Sequence, residues 1–232
     1  MISVIIPAYN EHAHIKATIQ RVWHYDTHNL VEEIIVVDGG SSDATVTIAR
    51  SEGVKAVVSP EKGRAAQMNY GASIAKEEIL YFLHADTVPV MGFTSDIRQA
   101  MEDGYDAGCF MLDFDHAHWF LKFNCWFTRF DVDAFHYGDQ SLFVECNHFH
   151  NAGGFCEKHI IFEDYHIIKQ LKKRGRFTIV KKQVITSARK YLDNGIYKMQ
   201  GVFYLMYFLY KLGLSQPRLV ATYTRLINQE KI

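Results

Sequence analysis

The fold is decided by a stretch in which an apolar run ends in a carboxylate, IIVVDGGSSDAT (residues 34–45). The apolar run predicts a strand covered on both faces, and packing does not explain Asp38 at its end. The two glycines that follow allow a sharp turn and a close approach to a ligand. Asp43 fits the start of the next helix, where acidic residues act as caps. We therefore interpret Asp38 as facing a ligand and Asp43 as a local cap.

Strand and helix signals alternate on both sides of this stretch. Strands are predicted over residues 3–7, 33–37, 55–58 and 79–83, and helices over residues 11–25, 43–51 and 65–76. Strands separated by helices of about 10–15 residues indicate βαβ crossovers and a parallel sheet. Ligands of such sheets lie beyond the carboxyl ends of the strands. We therefore predict an α/β fold whose polar signatures at the strand ends form the site.

The second half of the chain has another composition, since residues 110–149 hold 12 of the 32 aromatic residues. The patterns further predict an amphipathic helix over residues 163–174, one or two strands over 177–180 and 184–186, and C-terminal helices over 196–214 and 217–228. Because no repeat, low-complexity tract or linker separates the halves, we expect one domain.

The formal net charge of -1 hides a strong asymmetry. Residues 1–168 contain 11 Lys and Arg against 24 Asp and Glu, whereas residues 169–232 contain 14 against 2. An acidic body is therefore followed by a basic tail. The change falls inside the helix predicted to begin at Glu163, so the tail is not a separate arm for nucleic acid. We interpret it as a cover that returns positive charge to an acidic site or sets it against a membrane.

Composition limits the class of protein. Hydrophobic residues make up 48% of the chain, which excludes global disorder. Four cysteines without CxxC spacing are too few for a disulfide scaffold, so we expect a reduced, cytoplasmic protein. The start, MISVIIPAYNE, is typical of a first strand and not of a signal peptide. The longest apolar stretch, residues 202–210, is shorter than the roughly 20 residues that span a bilayer.

Further polar signatures follow other predicted strands. LYFLHADT (residues 80–87) places Asp86 just past a strand, where its oxygens suit a hard divalent cation. His84 would share the face of Asp86 if the segment were extended. SPEKGRAAQMNYGA (residues 59–72) places Arg64 ahead of a helix, where it either meets a pyrophosphate or is a solvated surface residue.

The segment FEDYHIIKQLKKRG (residues 162–175) begins a helix with Glu163 and Asp164. Acidic residues in a first turn are expected from the helix dipole. The functional alternative makes one of them a general base. The pattern alone favours the dipole explanation.

Taken in order, these segments resemble the family 2 glycosyltransferases, which have the GT-A fold. The resemblance is carried along nearly the whole chain by PAYNE, VVDGGSSD, KGRAAQMNYG, LHADT, GGF and an ED pair that opens a helix. It is closest to a short soluble bacterial subgroup with LHADT, YGDQ and SAR segments. It implies a Rossmann-like, mainly parallel sheet flanked by helices, with a helical C-terminal extension. The single domain (1–232) would comprise a nucleotide-binding half (1–109), an acceptor and catalytic half (110–190) and C-terminal helices (191–232).

The resemblance also implies roles by position. Asp164 matches the catalytic base and lies next to Glu163. Asp86 matches the last Asp of the family's DXD motif, which binds Mn²⁺ or Mg²⁺ and the diphosphate. His84 stands in place of the first Asp, which makes it a second candidate ligand and leaves metal dependence open. The residues implied on the nucleotide side are Pro7, Ala8, Tyr9, Glu11, Asp38, Arg64 and Asp86. Those implied on the acceptor or donor-sugar side are Gly138, Asp139, Gln140, Gly154 and Arg189.

The activity that the resemblance implies is inverting transfer of a sugar from a nucleotide-diphosphate sugar to an acceptor hydroxyl. A UDP-sugar is the leading donor class. A lipid-linked acceptor, with the protein at the inner face of the membrane, is one alternative for the acceptor. Two alternatives stand beside it. A sugar-phosphate nucleotidyltransferase lacks its expected Gly-rich N-terminal signature here. A non-catalytic nucleotide-sugar-binding protein is favoured only by His84 at the DXD position.

Two further patterns in the second half of the chain, an apolar stretch and a pair of histidines, each allow more than one interpretation. Residues 202–210 are apolar all round and are predicted to be buried, against the domain or in a homodimer. The alternative is a membrane surface, faced by the basic residues Lys190, Lys198, Lys211, Arg218 and Arg225. His148 and His150 are predicted to share one strand face, but no third ligand is evident at a telling spacing, which disfavours zinc.

Overall fold

The two strands that the apolar runs predict, β1 (Ile2–Ala8) and β2 (Val31–Asp38), lie side by side in the sheet. The computed structural model describes residues 1–132 and 138–227. In it the two strands pair in parallel, with Pro7 opposite Val37 and Ala8 opposite Asp38. Because the strands end side by side, the loops that follow them meet at one edge of the sheet.

The described residues form one eight-stranded sheet in the order β3-β2-β1-β4-β7-β6-β8-β5. The remaining strands are β3 (Lys55–Val58), β4 (Ile79–Phe82), β5 (Thr87–Val88), β6 (Ala107–Phe114), β7 (Phe143–Glu145) and β8 (Phe177–Thr186). The strands β3, β2, β1 and β4 are parallel to one another, and β6 is parallel to β8. Only β7 and β5 run antiparallel to their neighbours within the described sheet. The mainly parallel α/β sheet predicted from the sequence is confirmed.

Helices cover both faces of the sheet and extend beyond it. They are α1 (Ile15–Tyr25), α2 (Thr45–Ser51), α3 (Arg64–Ile74), α4 (Phe93–Glu102), α5 (Trp119–Trp126), α6 (Cys146–Asn151), α7 (Glu163–Lys172), α8 (Arg189–Asn194), α9 (Ile196–Lys211) and α10 (Gln216–Leu226). Among the described residues, 3-10 helices span Phe127–Arg129 and Gly138–Gln140. One core lies between the sheet, α1 and α4, and a second lies between the sheet, α3 and α7. A third core joins α5, α8, α9 and α10, which is the helical extension.

The helix α3 lies unusually close to the sheet because its sequence is rich in small residues. A side chain added at Gly71 would place its Cβ 2.5 Å from Cγ2 of Ile5 and 3.1 Å from Cγ2 of Val37. Real Cβ atoms do not approach so closely, so only glycine fits here. This close approach sets the position of the start of α3, where Arg64 lies.

Several sequence-based expectations are corrected. His148 and His150 lie on the helix α6 and not on a strand, since the side chain of Glu145 caps this helix by accepting from the backbone N–H of His148 at 3.1 Å. His148 is buried with Nε2 3.2 Å from the carbonyl oxygen of Leu171, and His150 is exposed. The strand signals over 177–180 and 184–186 belong to one strand, β8, whose register shifts where it passes Phe110 and Met111. The expectations that involve Tyr137 and Asn228 lie outside the described residues.

The apolar helix α9 buries only one of its sides within the chain, so burial in a homodimer stays a prediction. It packs its inner side against the third core through Met199, Val202 and Met206. Tyr204 and Phe208 are 52% and 59% exposed. Among the residues that the structure describes, no helix combines the length and apolar character needed to cross a bilayer.

Candidate active site

The tips of β1 and β2 are tied together by a side chain of α3. Gln67 donates its amide hydrogens to the carbonyl oxygens of Ala8, at 2.7 Å, and Val37, at 2.8 Å. The backbone of Gly39 passes so close that an added Cβ would lie 3.0 Å from Nε2 of Gln67. Pro7 and Ala8 are buried here, and Tyr9 is exposed. Of the residues predicted in this loop, Tyr9 is therefore the side chain open to a ligand.

The carboxylate of Asp38 is used by its own loop. One of its oxygens accepts hydrogen bonds from the backbone N–H groups of Gly40 and Ser41, both at 2.8 Å, and the hydroxyl of Ser41 donates to the other oxygen. The side chain is almost fully buried. The turn therefore accounts for this carboxylate in the structure, and a contact with a nucleotide stays a prediction.

Asp43 has the local role that the sequence indicates. Its Oδ1 accepts from the backbone N–H and the hydroxyl of Thr45, at 3.0 and 2.5 Å, where α2 begins. Although burial opposes the charged form, the hydrogen bonds from Thr45 and His12 lower the pKa of Asp43. Glu11 is held beside it, because its backbone N–H donates to the hydroxyl of Thr45 at 2.8 Å.

His84 and Asp139 form a pair that joins two segments far apart in the sequence. His84 follows β4 and Asp139 lies in the 3-10 helix Gly138–Gln140, and Nδ1 of His84 lies 2.7 Å from Oδ1 of Asp139. Burial acts to lower the pKa of His84, but the hydrogen bond with Asp139 and the negative charges of Asp139 and Asp164 together outweigh it and raise that pKa. Burial acts to raise the pKa of Asp139, but the same bond and the positive charges of His84, Arg64 and Lys190 together lower it. The sequence did not predict this pair, although both residues were candidates.

Asp86 lies in the turn after β4 and faces the first residue of α8. Nη2 of Arg189 lies 3.2 Å from Oε1 of Glu11 and 3.7 Å from Oδ2 of Asp86. Burial first, and then the negative charges of Asp139 and Glu11, raise the pKa of Asp86. The basic tail therefore returns to the acidic body, as the charge asymmetry predicts, and Arg189 is the residue that makes the contact.

Lys190 is a second basic residue of the tail beside this cluster. Burial lowers its pKa, while the negative charges of Asp139 and Asp86 act in the opposite direction. Lys190 therefore lies beside the acidic cluster, whereas the membrane alternative groups it with residues that face lipid headgroups. Its position follows from α8, since Arg189 and Lys190 begin the helix together.

Arg64 bridges the two acidic residues that open α7. Its guanidinium contacts Oε1 of Glu163, and its Nη2 lies 3.3 Å from Oδ2 of Asp164. The bridge forms because Phe162 has φ of 68°, so the chain turns sharply into α7. Burial raises the pKa of Glu163 although Arg64 opposes that effect, and the two carboxylates together raise the pKa of Arg64 against its own desolvation.

The two acidic residues differ in accessibility. The side chain of Glu163 is 1% exposed and that of Asp164 is 12% exposed. Glu163 is therefore placed to hold Arg64, and Asp164 keeps a surface that a small acceptor group can reach. This distinction decides which of the pair suits proton transfer.

Gln140 and Gly154, both predicted on the acceptor or donor-sugar side, contact neighbouring loops, and their role toward a substrate stays a prediction. The amide of Gln140 is buried and donates to the carbonyl oxygens of Phe110, at 3.1 Å, and Thr128, at 3.4 Å. Gly154 has φ of +65°, and an added Cβ would lie 2.8 Å from Oδ1 of Asn69. Gly138 begins the 3-10 helix that carries Asp139.

Sequence reasoning missed Gln67 and Asn69. Asn69 pairs with both the backbone N–H and the carbonyl of Phe155, at 2.9 Å each, and so fastens the GGF turn to α3. The available signal was two amide side chains in a helix otherwise rich in small residues. Such side chains are the ones that can satisfy backbone groups of adjoining loops.

The contacts link the candidate residues into one charged cluster at the carboxyl edge of the sheet. Its acidic members are Glu11, Asp86, Asp139, Glu163 and Asp164, and its basic members are Arg64, His84, Arg189 and Lys190. The residues fit a hard divalent cation, because Asp86 supplies carboxylate oxygen at the strand ends and the carboxylates of Glu11 and Asp139 add negative charge beside it.

The chain is similar in sequence to known glycosyltransferases. The sequence model described as Glycosyl transferase family 2 matches residues 3–157. An uncharacterized glycosyltransferase of Rickettsia bellii is 39% identical over 85 residues, which is 37% of this chain and 27% of that protein. The undecaprenyl-phosphate 4-deoxy-4-formamido-L-arabinose transferase of Aeromonas hydrophila is 30% identical over 130 residues, or 53% and 40% of the two chains. The chain thus spans less than half the length of these relatives.

Solved structures are similar in fold. The mannosyltransferase PcManGT from Pyrobaculum calidifontis, in complex with GDP-Man and Mn²⁺, matches with a TM-score of 0.72 and 16% identity, over 96% of this chain and 68% of that chain. S. aureus TarS 1-349 in complex with UDP-GlcNAc matches with a TM-score of 0.67 and 16% identity, over 80% and 58%.

Proposed function

The chain belongs to glycosyl transferase family 2, and on that premise we propose that it transfers a sugar from a nucleotide-diphosphate sugar to an acceptor hydroxyl with inversion at the anomeric carbon. It is a glycosyltransferase with the GT-A fold. The observation that carries the proposal is the spatial order of the charged cluster. Asp86 lies near the ends of β1 and β4, and Asp164 lies at the start of α7, with Arg64, His84 and Asp139 between them.

The donor is an anion, so its diphosphate requires positive charge near the acidic cluster. Arg189 and Lys190 supply it from the start of α8, next to Glu11 and Asp86. Tyr9 is exposed at the end of β1, where the base of a nucleotide would lie if it binds beyond the strand ends. We favour a UDP-sugar as the donor, while the similar mannosyltransferase and TarS structures were determined with GDP-Man and UDP-GlcNAc, respectively.

Asp86 would hold a divalent cation, with His84 as a second candidate ligand. When bound, Mn²⁺ or Mg²⁺ supplies positive charge that stabilises a leaving diphosphate. Asp139 fixes the ring of His84 through Nδ1, which leaves Nε2 as the nitrogen that can face a ligand. Arg189 lies 3.7 Å from the carboxylate of Asp86, so it must shift or share that carboxylate when a cation binds.

Asp164 is proposed as the general base. It removes the proton from the acceptor hydroxyl, whose oxygen forms the new bond to the anomeric carbon as the bond to the diphosphate breaks. Arg64 occupies one side of its carboxylate, and Glu163 holds Arg64 from the buried side. One base suffices for a single displacement, whereas retention by double displacement requires a nucleophile that forms a covalent intermediate.

The acceptor is proposed to be lipid-linked. The relative from Aeromonas hydrophila is named as an undecaprenyl-phosphate transferase. The exposed apolar side chains on α5 and α9 provide a surface of the kind that contacts lipid. A contact with a second copy of the chain through the same surface is the alternative occupant.

The proposal is tested in two steps. First, UDP-, GDP-, TDP- and CDP-sugars are compared by thermal shift with and without Mn²⁺, and we expect one nucleotide class to raise Tm, more so with the metal. Ligand at about 100 times its Kd stabilises a protein by about 2.7 kcal/mol. Second, the product made from that donor is analysed by NMR. We expect the anomeric configuration opposite to that of the donor, and retention would refute the mechanism.

A further inference from the structure

A second group of metal-ligating side chains lies away from Asp86, between the GGF turn and the first turns of α7. It consists of Cys156, His159 and His166, whose donor atoms all lie within 4.8 Å of one another. The two imidazole rings are nearly parallel, with centroids 4.4 Å apart and an interplanar angle of 25°. Cys156 is a free thiol. We propose that these three side chains bind one zinc ion.

A buried nitrogen at this position supports the proposal. Nδ1 of His159 is buried and has no hydrogen-bond partner among the residues that the structure describes. A buried polar atom without a partner costs free energy, and native proteins rarely leave one. A metal ion bound by this cluster would supply the missing interaction for Nδ1 of His159.

The ligand set selects the metal. Thiolate and imidazole ligands favour zinc, whereas Mn²⁺ and Mg²⁺ prefer oxygen. The proposed site is thus chemically distinct from the one at Asp86. Three protein ligands leave a fourth position, and a cavity of about 480 Å³ lined in part by His159, His166 and Tyr210 opens beside them. A water molecule from this cavity can complete a tetrahedral site.

The surrounding charge does not prevent binding. Lys169 and Lys173 lie near His166 and would repel a cation. Both lysines are exposed, so solvent screens them, and the thiolate of Cys156 offsets part of the added charge. Burial is the main cause that lowers the pKa of both His159 and His166, which favours the neutral imidazole that binds metals.

A zinc ion here would brace the segment that leads to the proposed base. His166 lies on α7, two residues after Asp164, and Cys156 and His159 belong to the preceding loop. Directly after His159 the loop is held by Gln216 of α10, whose Oε1 accepts from the backbone N–H groups of Ile160 and Ile161 at 3.1 Å each. The ion would therefore add a second constraint on the same loop. This inference does not depend on the identity of the donor or acceptor.

The first test measures bound metal in the full chain. Protein purified from zinc-containing medium is dialysed and its zinc content determined, and Co²⁺ is then titrated into the metal-free chain. We expect a stoichiometric zinc ion, and with Co²⁺ the visible bands of a tetrahedral site together with a thiolate-to-cobalt charge-transfer band. Cys156→Ser should remove the charge-transfer band and His159→Gln should weaken zinc binding. The matched controls, Cys146→Ser and His150→Gln, change residues outside the cluster and should bind as the wild type does.

A second variant separates this site from the nucleotide site. Asp86→Asn should retain zinc and the cobalt spectrum. If it loses both, the metal belongs at Asp86 and the proposal is wrong. The proposal is also wrong if the wild type binds no more zinc than Cys156→Ser does, or if its cobalt spectrum lacks the thiolate band.

Discussion

At the scale of single residues, the pairing of His84 with Asp139 changes how the missing carboxylate is understood. The resemblance places His84 where the family has the first Asp of its DXD motif. The structure sets the carboxylate of Asp139 2.7 Å from that imidazole, so a negative group is present although it comes from another segment. The pair therefore gives a structural reason why a histidine at this position does not by itself imply loss of activity.

The pair also predicts a pH dependence of stability. The folded state raises the pKa of His84 above 6.5. The stabilisation that His84 adds to the free energy of unfolding is therefore complete below pH 6.5 and is lost as the pH rises through the folded pKa. The folded state lowers the pKa of Asp139 below 3.8, so its contribution is present above 3.8 and is lost only in strong acid. Both contributions coincide between about pH 4 and about pH 6.5.

We therefore expect Asp139→Asn to reduce the free energy of unfolding most at about pH 5.5, by about 0.5–1 kcal/mol because the pair is partly exposed, and least at about pH 9. Urea unfolding at the two pH values measures the difference. Asp193→Asn, which changes an exposed aspartate of α8, is the control. A loss of stability that is equal at both pH values would contradict the role assigned to the pair.

The sequence predicted which residues meet at the site better than it predicted their partners. Arg64, Asp86, Asp164 and Arg189 were all named, and the structure brings them into one cluster. Their pairings depend on contacts between residues about 100 positions apart, as in Arg64 with Glu163, and no local pattern encodes such a distance. Cys156, His159 and His166 are close in sequence but were not recognised as a group, because their convergence requires the turn into α7 at Phe162.

At the scale of elements, the strands β1 to β4 were predicted well, and several elements in and beside the aromatic stretch were not. β3 has the bounds that the sequence predicts, because four extended residues lie between clear turn signals. β6 was missed, and the aromatic helix α5 and the His-rich helix α6 were not predicted as helices. Their types are set by tertiary partners, since β6 pairs with β8 along its whole length.

Two helical glycines give a matched test of how α3 is packed. Gly71→Ala would place a methyl group 2.5 Å from Cγ2 of Ile5, whereas Gly201 in α9 has no neighbouring atom within 4 Å of an added Cβ. We expect Gly71→Ala to destabilise the fold by about 1–3 kcal/mol through overpacking. Gly201→Ala should instead stabilise it by about 0.5–1 kcal/mol, because alanine favours the helix. Thermal or urea unfolding of both variants measures these changes in stability. Equal changes in the two variants would contradict the close packing of α3.

At the scale of the whole molecule, one part of the basic tail contacts the acidic cluster and another part exposes an apolar surface. Arg189 and Lys190 turn inward to the acidic cluster. The helix α9, which follows them, exposes apolar side chains next to those of α5, and the two helices touch where the rings of Phe120 and Tyr197 lie 4.9 Å apart. We define the α5–α9 surface by its exposed residues Trp119, Phe123, Trp126, Tyr197, Tyr204, Leu205 and Phe208.

We predict that the α5–α9 surface binds membranes. The chain should cosediment with vesicles that contain phosphatidylglycerol, and salt should weaken this binding. The double variant Trp119→Ser, Phe208→Ser should bind more weakly by at least about tenfold, since burying a large apolar side chain contributes about 1.5–3 kcal/mol. Trp23→Ser, which alters an exposed tryptophan of α1, is the control. The surface would instead be assigned to self-association if the chain formed a salt-insensitive dimer and did not bind vesicles. The same double variant should then dissociate the dimer.

The most direct test of the account is the rate of sugar transfer by Asp164→Asn, measured with the donor that the thermal-shift screen identifies. The substitution keeps the size of the side chain and its place beside Arg64 but removes the base. We expect the transfer rate to fall by at least about a hundredfold while the nucleotide sugar still binds, and the exposed control Asp103→Asn to transfer at the wild-type rate. A wild-type rate for Asp164→Asn would contradict the proposed mechanism.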